Sequence, residues 1–491
     1  MFPTADVHEG RARFFEAWVC LLAAALFSVW VWHATVSVCF PYPLDQVEGA
    51  VGGIVENWRA SGRLFGAMDA LPAHPAIHVP YTPVFLSVIL PWAGTPWWLA
   101  AGRCVSASAA LAVAMGLFFR GRKRGAAFGC AAAALFLLLP PVYRLSALAR
   151  VDMLALAFTA FAWFSYLSEG RWRFPLTVIF LSLAFWTKEF YIAAPLAMAA
   201  YEGFSGRRSG IPFAFLVLNG LGFLALHAAS DGASTRHLVA LQWLPMSAER
   251  AARVFLDVAV PAAPLAFLWI FLNRKLPEGL VKNPLGWYFV FSLAAGVFAA
   301  AKAGSEDHYF LECFLAMLLG VTVFRKETSP EGGGRFAFAL EVAALLTLLP
   351  LPAAQRVSHT YADVSLPSSA RGATPSAADR ENGAKLLRTL GGLRGPLLTE
   401  NAAWGLLAGR PPVCDAFQCG ALAGAGRWDE TPLIRMLAEK RFAAVAAESD
   451  LAAGERAYFS AAVSAAIVKH YAFSEKIGNV YVCLPRAKEE E

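Results

Sequence analysis

Apolar residues in this chain gather into long runs, separated by short polar stretches. The first, Trp18–Ser37, is followed by similar runs down to about Pro352. A helix rises ~1.5 Å per residue, so about 20 mainly apolar residues cross ~30 Å of hydrocarbon. Read this way, the chain predicts about eleven membrane spans. They fall near 17–39, 97–119, 126–142, 150–168, 174–187, 190–204, 211–228, 254–273, 284–302, 308–324 and 336–353. The run Tyr81–Trp92 is too short to cross. With Pro80 and Pro83 at its start, it reads as an interfacial or re-entrant helix.

Between the first span and that run, Val47, Val51, Ile54, Val55 and Trp58 recur at helical spacing, with Glu56 and Arg59 among them. That pattern predicts a helix over about 46–60 lying on the membrane surface. After about 354 the pattern changes. Residues 354–380 are rich in Ser, Ala and Pro and read as a linker. Beyond them, helical stretches (378–390, 431–440, 455–470) alternate with extended ones (396–399, 442–446, 479–484). The expected fold is a polytopic α-helical membrane domain over 1–353 with interfacial helices on its outer face. A small α/β soluble domain over 381–491 follows.

Composition agrees. The chain has 491 residues, of which 57% are hydrophobic and 16% charged. A soluble chain carries about 25% charged residues. The first apolar run has no small-residue cleavage site after it, so the start does not read as a removable signal peptide. Net charge is +6, but its placement matters more than its size. Basic residues cluster at Arg11/Arg13, Arg120–Arg124, Arg171/Arg173, Arg207/Arg208, Arg274/Lys275/Lys282 and Arg325/Lys326/Arg335. Short loops rich in Lys and Arg face the cytoplasm. The expected topology is therefore a multi-pass plasma (inner) membrane protein, with a cytoplasmic N-terminus and an extracytoplasmic C-terminal domain. No nucleic-acid partner is implied by the charge.

The remaining ionisable residues then fall at the outer ends of spans. Among them are Asp45 and Glu48 in the first outer loop, Arg150 and Asp152, Lys188 and Glu189, Asp257, Lys302, and Glu306, Asp307 and His308. Each has a plain structural explanation. Asp45 and Glu48 have the spacing of a helix capping box. Lys and Arg near span ends snorkel, and acidic residues suit the first turn of a helix. Together on one face they describe something else: cations that hold a phosphate and carboxylates that take a proton. His74 and His78, with Pro75 between them, do not form a metal site by spacing, and no metal or cofactor is inferred. Cys414 and Cys419 are close enough in sequence to pair in an oxidising compartment, with Cys483 a third candidate.

The order of short motifs resembles the C-type glycosyltransferase superfamily. The motifs are P-L-D-x-V-E-G-A at 43–50, Y-T-P-x-F at 81–85, A-G-R at 101–103, A-R-V-D at 149–152, T-K-E at 187–189 and A-G-S-E-D-H-Y-F-L-E at 303–312. The look is that of bacterial relatives of dolichyl-phosphate mannosyltransferases and lipid A aminosugar transferases. The resemblance implies an inverting transfer from a polyprenyl-phosphate sugar donor to a lipid, glycan or protein acceptor at the outer face. It makes Asp45 the catalytic carboxylate, with Glu48 a second one. Arg150, Lys188 and Lys302 would hold the donor phosphate. Tyr81 and Asp152 would shape the pocket, where Glu189, Glu306, Asp307 and His308 also belong. Relatives with two adjacent acidic residues in the first loop differ from the Asp-Gln-Val-Glu present here. Two other readings fit the apolar pattern: a flippase for a lipid-linked saccharide, and a non-catalytic membrane scaffold. A transporter is expected to carry polar groups at mid-span, and no span here has one clearly at its middle.

Overall fold

The structure, a computed structural model, describes residues 4–273, 283–323, 374–455 and 457–487. Helices lie at ten of the eleven positions where spans were expected. These are α1 Thr4–Val38, α4 Trp98–Gly121, α5 Ala126–Leu138, α7 Asp152–Tyr166, α8 Arg173–Thr187, α9 Ala193–Ser205, α10 Ile211–Ala229, α12 Ala248–Asn273, α13 Pro284–Ala300 and α14 Leu311–Val323. The eleventh position, 336–353, lies outside the described residues. Among the described residues, three stretches (Glu16–Val38, Trp98–Arg124 and Ile211–Ala229) are long and apolar enough to cross a membrane by themselves. Large side chains such as Trp18, Phe213, Leu216, Leu221, Val260 and Phe267 stand exposed on the bundle, a surface suited to lipid. This is a membrane protein.

The short elements lie at one end of the bundle. They are α2 Gln46–Ser61, α3 Pro83–Ile89, α6 Pro140–Leu145 and α11 Ala233–Leu238. Asp45 is the N-cap of α2, and its side chain accepts from the Val47 N–H at 3.1 Å. Gly62 ends the helix at φ 71°, a left-handed conformation that glycine adopts without strain. The expected capping box does not form: Asp45 caps the N–H of Val47 rather than that of Glu48. Glu48 reaches past the Asp45 N–H to that of Leu44. Nor does α2 lie on a free surface: Val51, Ile54 and Val55 are buried with Phe85, Leu86 and Trp98.

The other face of α2 meets the C-terminal domain. That domain comprises α15 Ala377–Gly392, β1 Leu397–Thr399, α16 Ala402–Leu407, α17 Ala416–Gly424, α18 Thr431–Ala438, β2 Ala444–Ala447, α19 Ala461–His470, β3 Tyr471–Ile477 and β4 Val480–Pro485. The strands form one sheet in the order β1-β2-β4-β3, with β1 parallel to β2 and the other pairs antiparallel. Helix α15 begins inside the stretch expected to be linker, capped by Ser376 and Asp379 in a complete capping box. Helices α16 and α17 and strand β3 had no clear pattern in the sequence. Helix α16 packs on α2 so closely that a Cβ on Gly49 would lie 2.7 Å from the Ala403 backbone nitrogen.

Candidate functional site

The site is assembled where α7 and α8 meet, under α2. Helix α7 presents Asp152 in its first turn, with Arg150 just before it, and Lys188 is the C-cap residue of α8. Lys188 Nζ donates to Asp152 Oδ1 at 2.7 Å. The other Asp152 oxygen accepts from Arg150 Nε at 3.2 Å. Arg150 Nη1 then reaches Asp45 Oδ2 at 2.7 Å. Its Nη2 lies 3.3 Å from His308 Nδ1, and Glu306 Oε2 is 3.5 Å from its Nη1. A second guanidinium, Arg144 at the end of α6, binds Glu306 and Asp307. Thus Lys188, Asp152, Arg150 and Asp45 form one alternating chain of charges, which Glu306, Asp307, His308 and Arg144 extend.

Burial grades along that chain. Side-chain exposure is 2% at Asp152, 4% at Arg150, 7% at Lys188 and 11% at Asp45, against 35% at Glu306. The acidic partners offset the cost of burying these cations, since an unpaired charge at such depth is costly. Lys188 also sits over the Tyr309 ring, 4.7 Å from its centroid. Tyr191 fixes the start of α7 by donating its hydroxyl to the Asp152 carbonyl at 3.0 Å. Tyr81 lies close enough to feel the charges of Arg150 and Asp152. Burial raises its hydroxyl well above the usual range, so it stays protonated and can donate.

Glu48 has a different setting. It is fully buried against an equally buried Arg103 from α4. Oε1 accepts from Arg103 Nε at 2.7 Å and from the Ala149 N–H at 2.8 Å. Oε2 accepts from Arg103 Nη2 and the Leu44 N–H, both at 2.7 Å. Arg103 spends its remaining donors on the carbonyls of Ser37, Phe40 and Tyr42. All five guanidinium N–H groups and all four carboxylate acceptor positions are used. This arrangement ties the end of α1, the start of α2 and the approach to α7 into one corner. It leaves Glu48 no capacity to meet a substrate.

Other expected residues lie further out. Lys302 Nζ donates to Gln242 Oε1 at 3.1 Å, apart from the Asp45–Lys188 chain. Glu189 has one buried oxygen without a hydrogen-bond partner. Burial raises its carboxyl, while Lys188 and Lys302 pull the other way. Arg103 and Arg144 had no assigned role from sequence. The A-G-R motif was a signal for Arg103; Arg144 stood in an outer loop like any interfacial arginine. Glu306, Asp307 and His308 each offer a ligand atom, all within 4.8 Å of one another. Yet Arg144 already binds both carboxylates and Arg150 faces the imidazole. A divalent cation would meet two guanidinium groups there, so the donor set fits ion pairing better than metal binding.

The C-terminal domain closes over this end. Gln46 Nε2 donates to Asp415 Oδ1, the N-cap of α17, at 3.3 Å. Phe417 packs on Gly304, two residues before Glu306, and meets Tyr458 edge-on with centroids 5.7 Å apart. The far end of the bundle is basic. Arg120 donates to the Phe164 carbonyl near the end of α7, and Arg124 to Val321 near the end of α14. Sites and basic loops thus occupy opposite ends of the same helices.

No protein-family model matches the chain, and no curated protein does. Among solved structures, ArnT from Cupriavidus metallidurans in the apo state aligns with a TM-score of 0.60 at 15% identity, covering 95% of this chain and 97% of that one. The same protein bound to undecaprenyl phosphate gives a TM-score of 0.58 at 16% identity, covering 96% of this chain and 98% of that one. The chain shares the fold of these structures over nearly its whole length. Both domains take part in that likeness, since the alignment runs nearly end to end. The resemblance read from the order of motifs is therefore also a resemblance of fold.

Proposed function

We propose that this protein is a glycosyltransferase that moves a sugar from a polyprenyl-phosphate donor to an acceptor at the outer membrane surface. One observation carries the reading: Asp45, Arg150, Asp152 and Lys188 form a single charge chain at one end of the bundle. The fold shared with ArnT, a protein crystallised with undecaprenyl phosphate, supports a lipid phosphate as the donor group. The basic loops at the opposite end support an outward-facing site in the plasma membrane.

The reaction follows as a single displacement with inversion. The donor phosphate, a singly charged diester, binds Arg150 and Lys188; Arg150 turns from Asp45 toward it while Asp152 keeps hold of both cations, which then meet the second charge that appears as the lipid phosphate leaves. Asp45 loses the Arg150 contact on Oδ2 and keeps the Val47 cap on Oδ1, so one oxygen is freed as a base. It takes the proton from the acceptor hydroxyl or amine as that atom attacks the anomeric carbon. The bond from that carbon to the phosphate oxygen breaks, and its electron pair leaves with the lipid phosphate. Fixed cations in a site of low dielectric stabilise that developing charge. Asp152 orients both cations, and Glu48 with Arg103 positions the loop that carries Asp45. Glu306, Asp307 and His308 line the side from which Arg144 closes the network.

The test uses purified protein and a labelled sugar on a polyprenyl phosphate, with the matching nucleotide sugar in parallel. Transfer from the lipid donor alone is the expected result. Transfer only from the nucleotide sugar, or from neither with a range of lipid, glycan and protein acceptors, overturns the proposal.

A further inference from the structure

Helix α17 starts with an unusual sequence, Cys414-Asp415-Ala416-Phe417-Gln418-Cys419. Asp415 is the N-cap, and its Oδ1 accepts from the Gln418 N–H at 2.9 Å. Cys414 and Cys419 therefore occupy N′ and N4, the positions whose side chains pack together in a hydrophobic staple. Here the staple consists of two thiols. They are 3% and 1% exposed and lie within hydrogen-bonding reach of each other. They also clamp another segment. Cys414 is bridged to Ala76, the Ala76 N–H donates to the Val413 carbonyl at 2.9 Å, and Cys419 Sγ donates to the Ala76 carbonyl at 3.4 Å. The thiols are unbonded in the structure.

We propose that Cys414 and Cys419 are joined by a disulfide in the mature protein, fastening the N-terminus of α17 where Asp415 grips Gln46 beside Asp45. The proposal rests on the outward orientation argued above, which puts this domain in an oxidising compartment. Formation removes two protons and two electrons from the thiols. An exchange-competent protein disulfide is the oxidant and leaves as its dithiol. The bond forms before the domain settles on Ala76, because both sulfurs are then covered. Once folded, burial raises the Cys419 thiol well above its usual range, so an unoxidised pair would react poorly. The closed loop is short, so the gain in global stability is small. The effect is local, on the contact between α17 and α2. Cys483, on β4, is not needed for it.

The experiment is peptide mapping of the full-length protein, purified from its membrane without reductant and alkylated at once. A linked pair of peptides carrying Cys414 and Cys419, with Cys483 alkylated, is expected. A C-terminal reporter scored for accessibility from outside the cell runs alongside. If the domain is outside and both thiols are alkylated, the disulfide is wrong and the function reading stands. If the reporter is inside, the orientation fails and the disulfide with it. In a C414S/C419S variant, amides around 74–78 and 414–420 should exchange hydrogen on the order of tenfold faster than in the parent purified without reductant, with little change elsewhere. Equal exchange in both forms would mean that the bond fastens nothing.

Discussion

Glu48→Gln separates two duties for a carboxylate beside the proposed base. Glu48 accepts four hydrogen bonds at 2.7–2.8 Å, two from Arg103 and two from backbone N–H groups, with no exposure to solvent. Glutamine keeps the shape but turns one oxygen into a donor. That NH2 would face either Arg103 Nη2 and the Leu44 N–H, or Arg103 Nε and the Ala149 N–H, a donor against donors in both cases. The change also leaves the Arg103 guanidinium buried without a counter-charge. Removing one partner of a buried ion pair costs about 3–5 kcal/mol. Domains have about 5–15 kcal/mol in all, so this is a large part of the margin. Thermal unfolding of the detergent-purified variant should show a drop of many degrees, or too little folded protein to melt. Arg103→Met should be similarly damaging, and a Glu48→Leu/Arg103→Met pair less so than the sum of the two, because no charge is stranded. A Glu48→Gln protein that melts like the parent yet loses transfer would refute this reasoning and make Glu48 part of the chemistry.

Lys188→Met removes a cation that the reading places on the donor phosphate. It should raise the KM for the lipid donor on the order of tenfold or more, as the loss of a charge-assisted hydrogen bond requires; an unchanged KM contradicts that role. Gly49→Ala should loosen the docking of α16 on α2, because the new Cβ meets backbone at Ala402 and Ala403. Overpacking of this kind costs about 1–3 kcal/mol, to be read as a lower melting temperature. In the C-terminal domain, burial pushes Glu400 up to about 7 and Glu448 up to about 8, above an ordinary 4.5. A carboxyl raised on folding binds its proton more tightly in the folded state, so stability is full below about pH 4.5 and falls as pH rises toward 8. Glu448→Gln should flatten the upper part of that fall in melting curves taken from pH 5 to 9; an unchanged slope would show that Glu448 is not the group titrating.

Much of the helical architecture was legible because lipid imposes one rule on every span: a run of apolar residues long enough to hide its backbone. The C-terminal domain was less so. Its shorter helices α16 and α17 carry no long period, and β3 alternates weakly, with charged and exposed positions among its residues. At the site, Asp45 was singled out by its place after the first span and by the motif resemblance, and it lies on the charge chain with Arg150. Glu48 was misleading because D-x-x-E spacing serves a cap, a catalytic pair and a buried ion pair alike. What separates them is Arg103, 55 positions away, and no local pattern reports a partner at that distance. The same holds for Arg144, whose carboxylates come from the loop before α14. Asp45 itself proved to be both a helix cap and the end of a charge chain. The cap fixes where its free oxygen points.

The most direct measurement is the initial rate of sugar transfer from a polyprenyl-phosphate donor by purified Asp45→Asn protein. Asparagine can still cap α2 through its side-chain oxygen, and Arg150 keeps Asp152 and Glu306 as counter-charges, so the melting temperature should stay close to that of the parent. It cannot take the acceptor proton, and removing a general base costs about 10²–10⁴ in rate. The account predicts a folded protein with turnover reduced by that order and with donor binding retained. A folded Asn variant with full turnover would leave Asp45 as a cap only and contradict the mechanism.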